Sequence, residues 1–337
     1  MTAKQMKLEE SGIVTEKAAR DDGKRPAEDT EEKKEAEEQH TEKKAKTEAG
    51  SKTTAPEVDA DAKEPLSESQ PKNVVEEGRI YFFYRPRVGL QEAHNLSDIQ
   101  RFFIVMAPTS RKAPMRLAAV GKKQLPNTGG RFWACIQGLS DKIDDLMGGL
   151  GPKENQTKTQ GVRRTEAARA AGEGVYTIAV EGTDAHLIYE LEIPKEPQDL
   201  QNELNIGKTG NYSLQMKNPE KSSPPNAGLS DEQKVDYPKE LMKTFEGTPG
   251  GYSWASPRDP ALLDYMGAEF ILIGANPDLS QVDKKVQEHL EKTAEQDLER
   301  HTGGGKEDDE MLAKLRAELH AEKNHVETAP AVEGNMK

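Results

Sequence analysis

The first 76 residues of this 337-residue chain contain no aromatic side chain, and the first aromatic residue is Tyr81. These residues are mainly Glu, Lys, Ala, Asp, Thr and Ser. A segment without large apolar side chains buries too little surface to offset the conformational entropy that ordering it costs. We therefore predict that residues 1–76 form a disordered tail and that the folded domain begins near residue 77.

The acidic charge of the chain lies in its two flanks. Of 47 Lys and Arg and 60 Asp and Glu, residues 1–76 hold 14 and 20, and residues 276–337 hold 9 and 15. Each flank thus carries a net charge of −6, whereas the middle, with the remaining 24 and 25, is close to neutral. A nearly neutral domain does not hold DNA by phosphate neutralisation alone. Acidic flanks instead suit basic protein partners.

Between residues 77 and 275, short β-rich runs follow one another with tight turns. The first, residues 79–85, is apolar on both faces and ends at Pro86, which is typical of a strand in the middle of a core. Further strands are predicted at residues 99–106, 115–121, 132–139, 175–180, 185–193, 212–217 and 269–274. Short helices are predicted at residues 141–146, 197–204, 237–245 and 260–266. Few helices are long enough for parallel crossovers, so we predict a single α+β domain with a mainly antiparallel sheet.

From residue 279 onward the apolar pattern becomes helical. Apolar residues recur near helical spacing on both sides of a glycine break at residues 303–305, at Val282, Val286, Leu290, Leu312, Leu315 and Leu319. The pattern predicts that residues 276–337 form a charged helical and partly disordered tail. The sequence leaves open whether these helices pack loosely on the core or bind a partner.

The chain has features of a protein that is neither membrane-embedded nor secreted. Its apolar runs are shorter than the roughly 18 residues that a membrane span needs, and its N-terminus lacks the apolar stretch of a secretory signal. Its single cysteine, Cys135, excludes an internal disulfide and suits a reducing compartment. Because Cys135 lies in the apolar residues 132–136, we expect a buried small side chain rather than a nucleophile.

No catalytic or cofactor motif of known spacing occurs in the sequence. The patterns His-Glu-x-x-His, Cys-x-x-Cys and Gly-x-Ser-x-Gly are absent. The glycine-rich residues 148–153 lack the spacing of a phosphate-binding loop and include Pro152, which has no N–H to donate. We therefore expect no catalytic residue, no cofactor and no metal ligand. Whether the chain is an enzyme stays open, and a non-enzymatic role is favoured.

Six residues of the core are candidates for a binding site: Arg85, His94, Asp98, Arg131, Trp133 and Glu173. His94 lies near carboxylates that can orient an imidazole. If the domain is an enzyme or a small-ligand binder, these residues are expected to line one concave pocket. In a third hypothesis Tyr81 and Tyr84, beside arginines, stack on single-stranded nucleic acid. This third hypothesis is the weakest, because a domain with few aromatic residues needs most of them in its core.

Two basic clusters in the N-terminal tail resemble a bipartite nuclear import signal. They comprise Lys24 and Arg25, followed by Lys43, Lys44 and Lys46. Two small basic clusters on a flexible segment can fill two acidic grooves of an import receptor, although the acidic residues between them oppose binding. We expect nuclear localisation, with the cytoplasm as the alternative.

Several stretches of the core resemble a family of uncharacterised proteins found in bacteria and fungi. They are residues 78–88 (GRIYFFYRPRV), 92–102 (EAHNLSDIQRF), 121–126 (GKKQLP), 131–133 (RFW), 171–176 (AGEGVY) and 203–206 (ELNI). Fungal members are often titled BTB-domain transcription factors, so the resemblance implies a nuclear, fungal-type protein. The residues themselves contain no zinc-finger spacing and no leucine-zipper heptad.

Two function hypotheses follow from these features. The first is a non-enzymatic nuclear binding or regulatory module, associated with transcription or chromatin through basic protein partners. The second is an enzyme or small-ligand-binding protein that uses a pocket in the core domain. The import-like tail and the acidic flanks favour the first hypothesis, whereas the resemblance to bacterial proteins, which need no nucleus, supports the second.

Overall fold

A computed structural model describes residues 70–157, 161–223, 229, 233–247, 250–299 and 307–336. The import-like residues Lys24, Arg25, Lys43, Lys44 and Lys46 lie outside the described residues, as does the predicted tail up to residue 69. The first strand begins at Val74, so the fold starts a few residues before the predicted boundary at residue 77.

The described residues form eleven strands. They are β1 (Val74–Pro86), β2 (Ile99–Pro108), β3 (Met115–Val120), β4 (Arg131–Ser140), β5 (Lys153–Thr157), β6 (Gly161–Thr165), β7 (Arg169–Glu181), β8 (Asp184–Ile193), β9 (Thr209–Lys217), β10 (Trp254–Ala255) and β11 (Glu269–Gly274).

Seven α-helices accompany the strands in the same residues. They are α1 (Ile143–Leu150), α2 (Asp199–Glu203), α3 (Lys239–Met242), α4 (Lys284–Glu299), α5 (Glu307–Glu318), α6 (Ala321–Asn324) and α7 (Ala329–Glu333). Single 3-10 turns occur at Leu96–Asp98, Lys243–Phe245 and Pro260–Leu263. No helix within the described residues is long and apolar enough to cross a membrane.

Eight of the described strands close into an antiparallel barrel. The order around the barrel is β1, β2, β3, β4, β11, β9, β8 and β7, and β7 pairs back with β1. Strand β9 closes the ring because it pairs with β11 on one edge and with β8 on the other. Strands β5 and β6 form a separate hairpin, and β10 pairs with the end of β9.

The predicted α+β domain with a mainly antiparallel sheet is confirmed. The predicted strands are all present, most with longer ends than the sequence pattern indicated. Two local predictions were wrong. Residues 153–165, where no strand was predicted, contain the β5–β6 hairpin, and residues 260–266 contain only a 3-10 turn at Pro260–Leu263. Polar hairpins outside a core lack the apolar alternation on which strand prediction depends.

The inside of the barrel is filled by its own side chains. Because successive residues of a strand point to opposite faces, one set from each strand meets in the interior, including Ile80, Phe82, Tyr84, Phe102, Ile104, Tyr176, Leu187, Tyr189, Leu214, Phe270 and Leu272. These side chains are 5% exposed or less. An eight-stranded barrel has an interior just wide enough for side chains to fill or for one small ligand. Here the chain itself provides the filling.

A network of charged residues lies on the same inward face of the barrel. Arg116 and Glu76 are fully buried, and Arg116 donates two hydrogen bonds to the Glu76 carboxylate at 2.6 and 2.7 Å. Asp264, which precedes β11, accepts from Arg116 Nε at 2.8 Å and from both terminal nitrogens of Arg111. The Tyr176 hydroxyl donates to Glu76 at 2.7 Å. Two guanidinium groups thus balance two carboxylates, as buried charges require.

The C-terminal helices cover the outside of the barrel. Helix α4 packs with Val286 and Leu290 on outward-facing residues of β7 and β8, including Ile188. Helix α5 packs with Leu315 and Leu319 on outward-facing residues of β1, β2 and β3. The barrel and these helices form one compact unit. Outward-facing residues of β1 are therefore buried too, which explains why this strand is apolar on both faces.

Candidate functional site

Arg85, the first of the six sequence candidates, is a buried structural residue at the end of helix α1. Its side chain is fully buried and donates to the backbone oxygens of Gly149 at 3.2 Å and Gly151 at 3.4 Å. The guanidinium also lies over the ring of Phe103, 5.3 Å from its centroid. A cation at a helix C-terminus is stabilised by the helix dipole. The glycine-rich residues 148–151 thus end a helix and bind an arginine.

We expect Arg85→Met to lower the free energy of unfolding by about 1–3 kcal/mol, because the carbonyl oxygens that Arg85 bonds would lose a charged donor inside the protein. Chemical denaturation of the full-length chain measures this loss. Arg131→Met is the matched control, since Arg131 is exposed at the start of β4, and its expected change is within about 0.5 kcal/mol. Equal changes in the two variants would contradict the assignment.

His94 and Asp98 lie in the loop between β1 and β2. Asp98 accepts hydrogen bonds from the backbone N–H of His94 at 3.0 Å and from the Asn95 side chain at 3.3 Å, so its carboxylate fixes the loop. His94 is exposed. It borders an open groove of about 630 Å³ that is also lined by Ala93, Asp199, Leu200, Asn202, Glu203, Asn335 and Met336. No other sequence candidate lines this groove.

Trp133 lies on the outside of the barrel and packs edge to face on Trp254, with ring centroids 4.9 Å apart. Both indole rings are half-buried. Tyr81 and Tyr84, proposed above as a stacking platform, are 5% and 0% exposed. The structure does not bring the six candidates into one concave pocket, which the enzyme hypothesis required.

Glu173, the last of the six, belongs to a buried cluster of ionisable side chains between the barrel and the C-terminal helices. Glu173 of β7 and Glu192 of β8 point outward and are 0% and 4% exposed. Asp297 of α4 and Lys314 of α5 approach these two glutamates from the helices that cover the outer face of the barrel. The Lys314 ammonium lies 3.7 Å from Glu173, 3.7 Å from Glu192 and 3.2 Å from Asp297.

Arg79, Tyr81 and Glu318 complete this carboxylate cluster. Arg79 of β1 donates to Asp297 at 2.7 Å and forms an ion pair with Glu318. The Tyr81 hydroxyl donates to Glu318 at 3.1 Å. Within the described part of the chain, no N–H or hydroxyl donor lies within hydrogen-bond distance of the Glu173 or Glu192 oxygens, and the Lys314 ammonium reaches each at 3.7 Å, the distance of an ion pair. The cluster thus joins three strands to two helices.

The pKa values in the carboxylate cluster reflect this imbalance. Burial raises the pKa of Glu173 well above its usual value, and the Glu318 carboxyl raises it further. Burial also raises the pKa of Glu192 to about 8. For Lys314, burial alone would lower the pKa, but the surrounding carboxylates raise it above its usual value. The lysine therefore stays charged, and the two glutamates are held in surroundings that disfavour their charged form.

Of the cluster, the sequence pointed to Glu173 as a candidate site residue, and to Tyr81 and Arg79 only as part of the nucleic-acid hypothesis; the other members were not predicted. In residues 185–193 apolar side chains alternate with mostly polar ones, and Glu192 lies on the polar face, which such a pattern assigns to solvent. The missing element was helix α4, which covers this face. The position of Asp297 in the sequence could have indicated that its side chain is buried. Asp297 continues the apolar stripe of Val286 and Leu290 at helical spacing, so it lies on the face of the helix that packs on the barrel.

A second group of carboxylates is accessible on the outer surface. Glu291 and Glu295 are exposed on α4, next to the partly buried Glu190 of β8. The pKa of Glu190 is raised, first by burial and then by repulsion from Glu291 and Glu295, while Lys208, 3.6 Å away, acts in the opposite direction. Glu190, Glu291 and Glu295 are called the acidic patch below.

Comparisons with known proteins return no match, neither to a protein-family model, nor to a curated protein, nor to a solved structure.

Proposed function

We propose that this chain is a non-enzymatic binding module of the nucleus that recognises basic protein partners, chromatin proteins among them, with its outer surface. The observation that carries the proposal is the filled barrel interior. Side chains such as Phe82, Tyr176 and Tyr189 occupy the space in which a barrel of eight strands would otherwise hold a small ligand. A partner is therefore recognised by the outer surface of the protein.

Charge supports a basic partner. The whole chain carries a formal net charge of −13, and the acidic patch concentrates three carboxylates on the described surface. Lys208 offsets only part of this charge. A patch of one sign attracts a partner of the opposite sign and speeds their encounter.

The nuclear part of the proposal depends on the N-terminal segment. Its two basic clusters, at Lys24 and Arg25 and at Lys43, Lys44 and Lys46, have the arrangement of a bipartite import signal. Acidic stretches around them add to the attraction for basic proteins such as histones.

Binding of purified core histones to the full-length chain tests the proposal. We expect salt-sensitive binding, because ion pairs at an exposed surface are screened as ionic strength rises. Glu190→Gln, Glu291→Gln and Glu295→Gln combined should weaken binding about tenfold, since three surface charges at roughly 0.5 kcal/mol each amount to about 1.5 kcal/mol. Isothermal titration at two salt concentrations gives both results.

A second triple variant separates the patch from net charge. Glu92, Glu196 and Glu240 are exposed and dispersed over the surface, so replacing all three by Gln changes the net charge equally without touching the acidic patch. We expect this control to keep nearly the affinity of the unmodified chain. Equal weakening in both triple variants, or binding that salt leaves unchanged, would refute recognition by the acidic patch.

A further inference from the structure

We infer that Glu173, Glu192 and Asp297 form a binding site for a hard divalent cation, which joins the barrel to helix α4. This site is independent of the acidic patch and of the proposed histone binding. Each of the three residues is buried, and one carboxylate oxygen from each lies within 4.8 Å of the other two. Calcium–oxygen bonds of roughly 2.3–2.6 Å place ligand oxygens up to about twice that distance apart. The three oxygens therefore fit around one ion.

The unsatisfied oxygens are the second observation. All four carboxylate oxygens of Glu173 and Glu192 are buried, and no N–H or hydroxyl group among the described residues donates a hydrogen bond to them. Buried polar groups are nearly always paired, and an unpaired carboxylate is among the most costly to bury. Both side chains point into the space between the barrel and the helices, where Asp297 also lies. Apart from the Lys314 ammonium, which lies 3.7 Å from each carboxylate, the described residues offer these oxygens no partner, so their lone pairs can bind a metal cation.

Charge counting in the carboxylate cluster leads to the same conclusion. Among the described residues, Glu173 and Glu192 share one cationic neighbour at ion-pair distance, the Lys314 ammonium, which also pairs with Asp297. When both glutamates are ionised, this single positive charge does not offset them, and a bound divalent ion can.

Lys314 is the internal competitor for the site. Its ammonium already lies 3.2–3.7 Å from one oxygen of each of the three carboxylates. Glu318 stands one helical turn further along α5 and can receive the ammonium when a metal takes the three oxygens. Because all ligands are oxygens, the site suits calcium, magnesium or manganese rather than soft metals.

Thermal unfolding of the full-length, chelator-treated chain tests this inference, with calcium, magnesium and manganese chlorides as separate additions. At a concentration about one hundred times the Kd, a bound ion is expected to raise Tm by about 5–10 °C. Glu173→Gln and Glu192→Gln combined should abolish the metal-dependent rise, because the two amides cannot supply the negative charge that holds a divalent ion. Lys314→Met should enlarge the rise, since it removes the competing ammonium.

A double control and a direct binding measurement complete the test. Glu92→Gln with Glu240→Gln changes the charge equally at exposed positions and should keep the full metal-dependent rise. Terbium luminescence reports binding in the unmodified chain, because Tyr81 touches the cluster through Glu318. Its emission should fall in Tyr81→Phe and on addition of calcium. No rise in Tm in either the unmodified chain or Lys314→Met, or an equal rise in the Glu173 and Glu192 variant, would overturn the inference.

Discussion

Arg116→Met is expected to lower the free energy of unfolding by about 3–5 kcal/mol. The substitution removes two hydrogen bonds to Glu76 and one to Asp264 from a residue that is fully buried. Glu76, itself fully buried, would keep only Arg111 and the Tyr176 hydroxyl as partners. Removing one member of a buried ion pair is costly because the other charge stays in a medium that solvates it poorly.

Urea denaturation of the full-length chain measures the effect of Arg116→Met. Arg131→Met provides the matched exposed control, with an expected change of about 0.5 kcal/mol or less. The double variant Glu76→Gln and Arg116→Met should lose less stability than Arg116→Met alone, because the uncompensated charge is gone. If Arg116→Met behaves like Arg131→Met, the charged network does not hold the barrel together.

Leu290→Ala is expected to lower the free energy of unfolding by about 2–5 kcal/mol, the range for a large aliphatic side chain lost from a packed core. Leu290 of α4 is 2% exposed and packs with Val175 and Ile188 on the outer face of the barrel. The prediction distinguishes a helix that is part of the folded unit from a charged tail that frays in solvent.

Lys292→Ala is the control for Leu290→Ala. It lies on the same helix and is exposed, so alanine changes little beyond the loss of one solvated charge. We expect a change of about 0.5 kcal/mol or less, measured under the same denaturation conditions. Similar small changes for both variants would mean that α4 contributes nothing to the stability of the barrel.

The sequence was sufficient to predict the strands but not the barrel. The apolar residues 79–85 predicted a strand buried on both faces, and the tight turns between short β-rich segments indicated antiparallel pairing. Closure depends on β9 pairing with both β8 and β11, and on β4 pairing with β11 across more than a hundred residues. Pairings at such distances have no local sequence signal, because the alternation of a strand shows its faces and not its neighbours.

The C-terminal helices show why the carboxylate cluster was missed. Residues 276–337 carry enough charge to resemble a solvated tail, although their apolar positions are few and regularly spaced. Met311 and Leu315 of α5 form one stripe with Leu319, the residue after the helix, and Lys314 and Glu318 lie directly beside it. A charged side chain at the edge of an apolar stripe can be interpreted in two ways. It either extends its charged end to solvent, or it forms a buried ion pair with the surface beneath the helix. Only the position of Glu173 and Glu192 beneath the helix decides between them.

Proximity labelling of the tagged full-length chain in its native cell, read together with its localisation, tests whether the chain binds basic proteins in the nucleus. We expect a nuclear signal and enrichment of basic chromatin or transcription proteins. The enrichment should fall when Glu190, Glu291 and Glu295 are replaced by Gln. A cytosolic signal with metabolic neighbours, unchanged by those three substitutions, would contradict it and would direct attention to the groove beside His94.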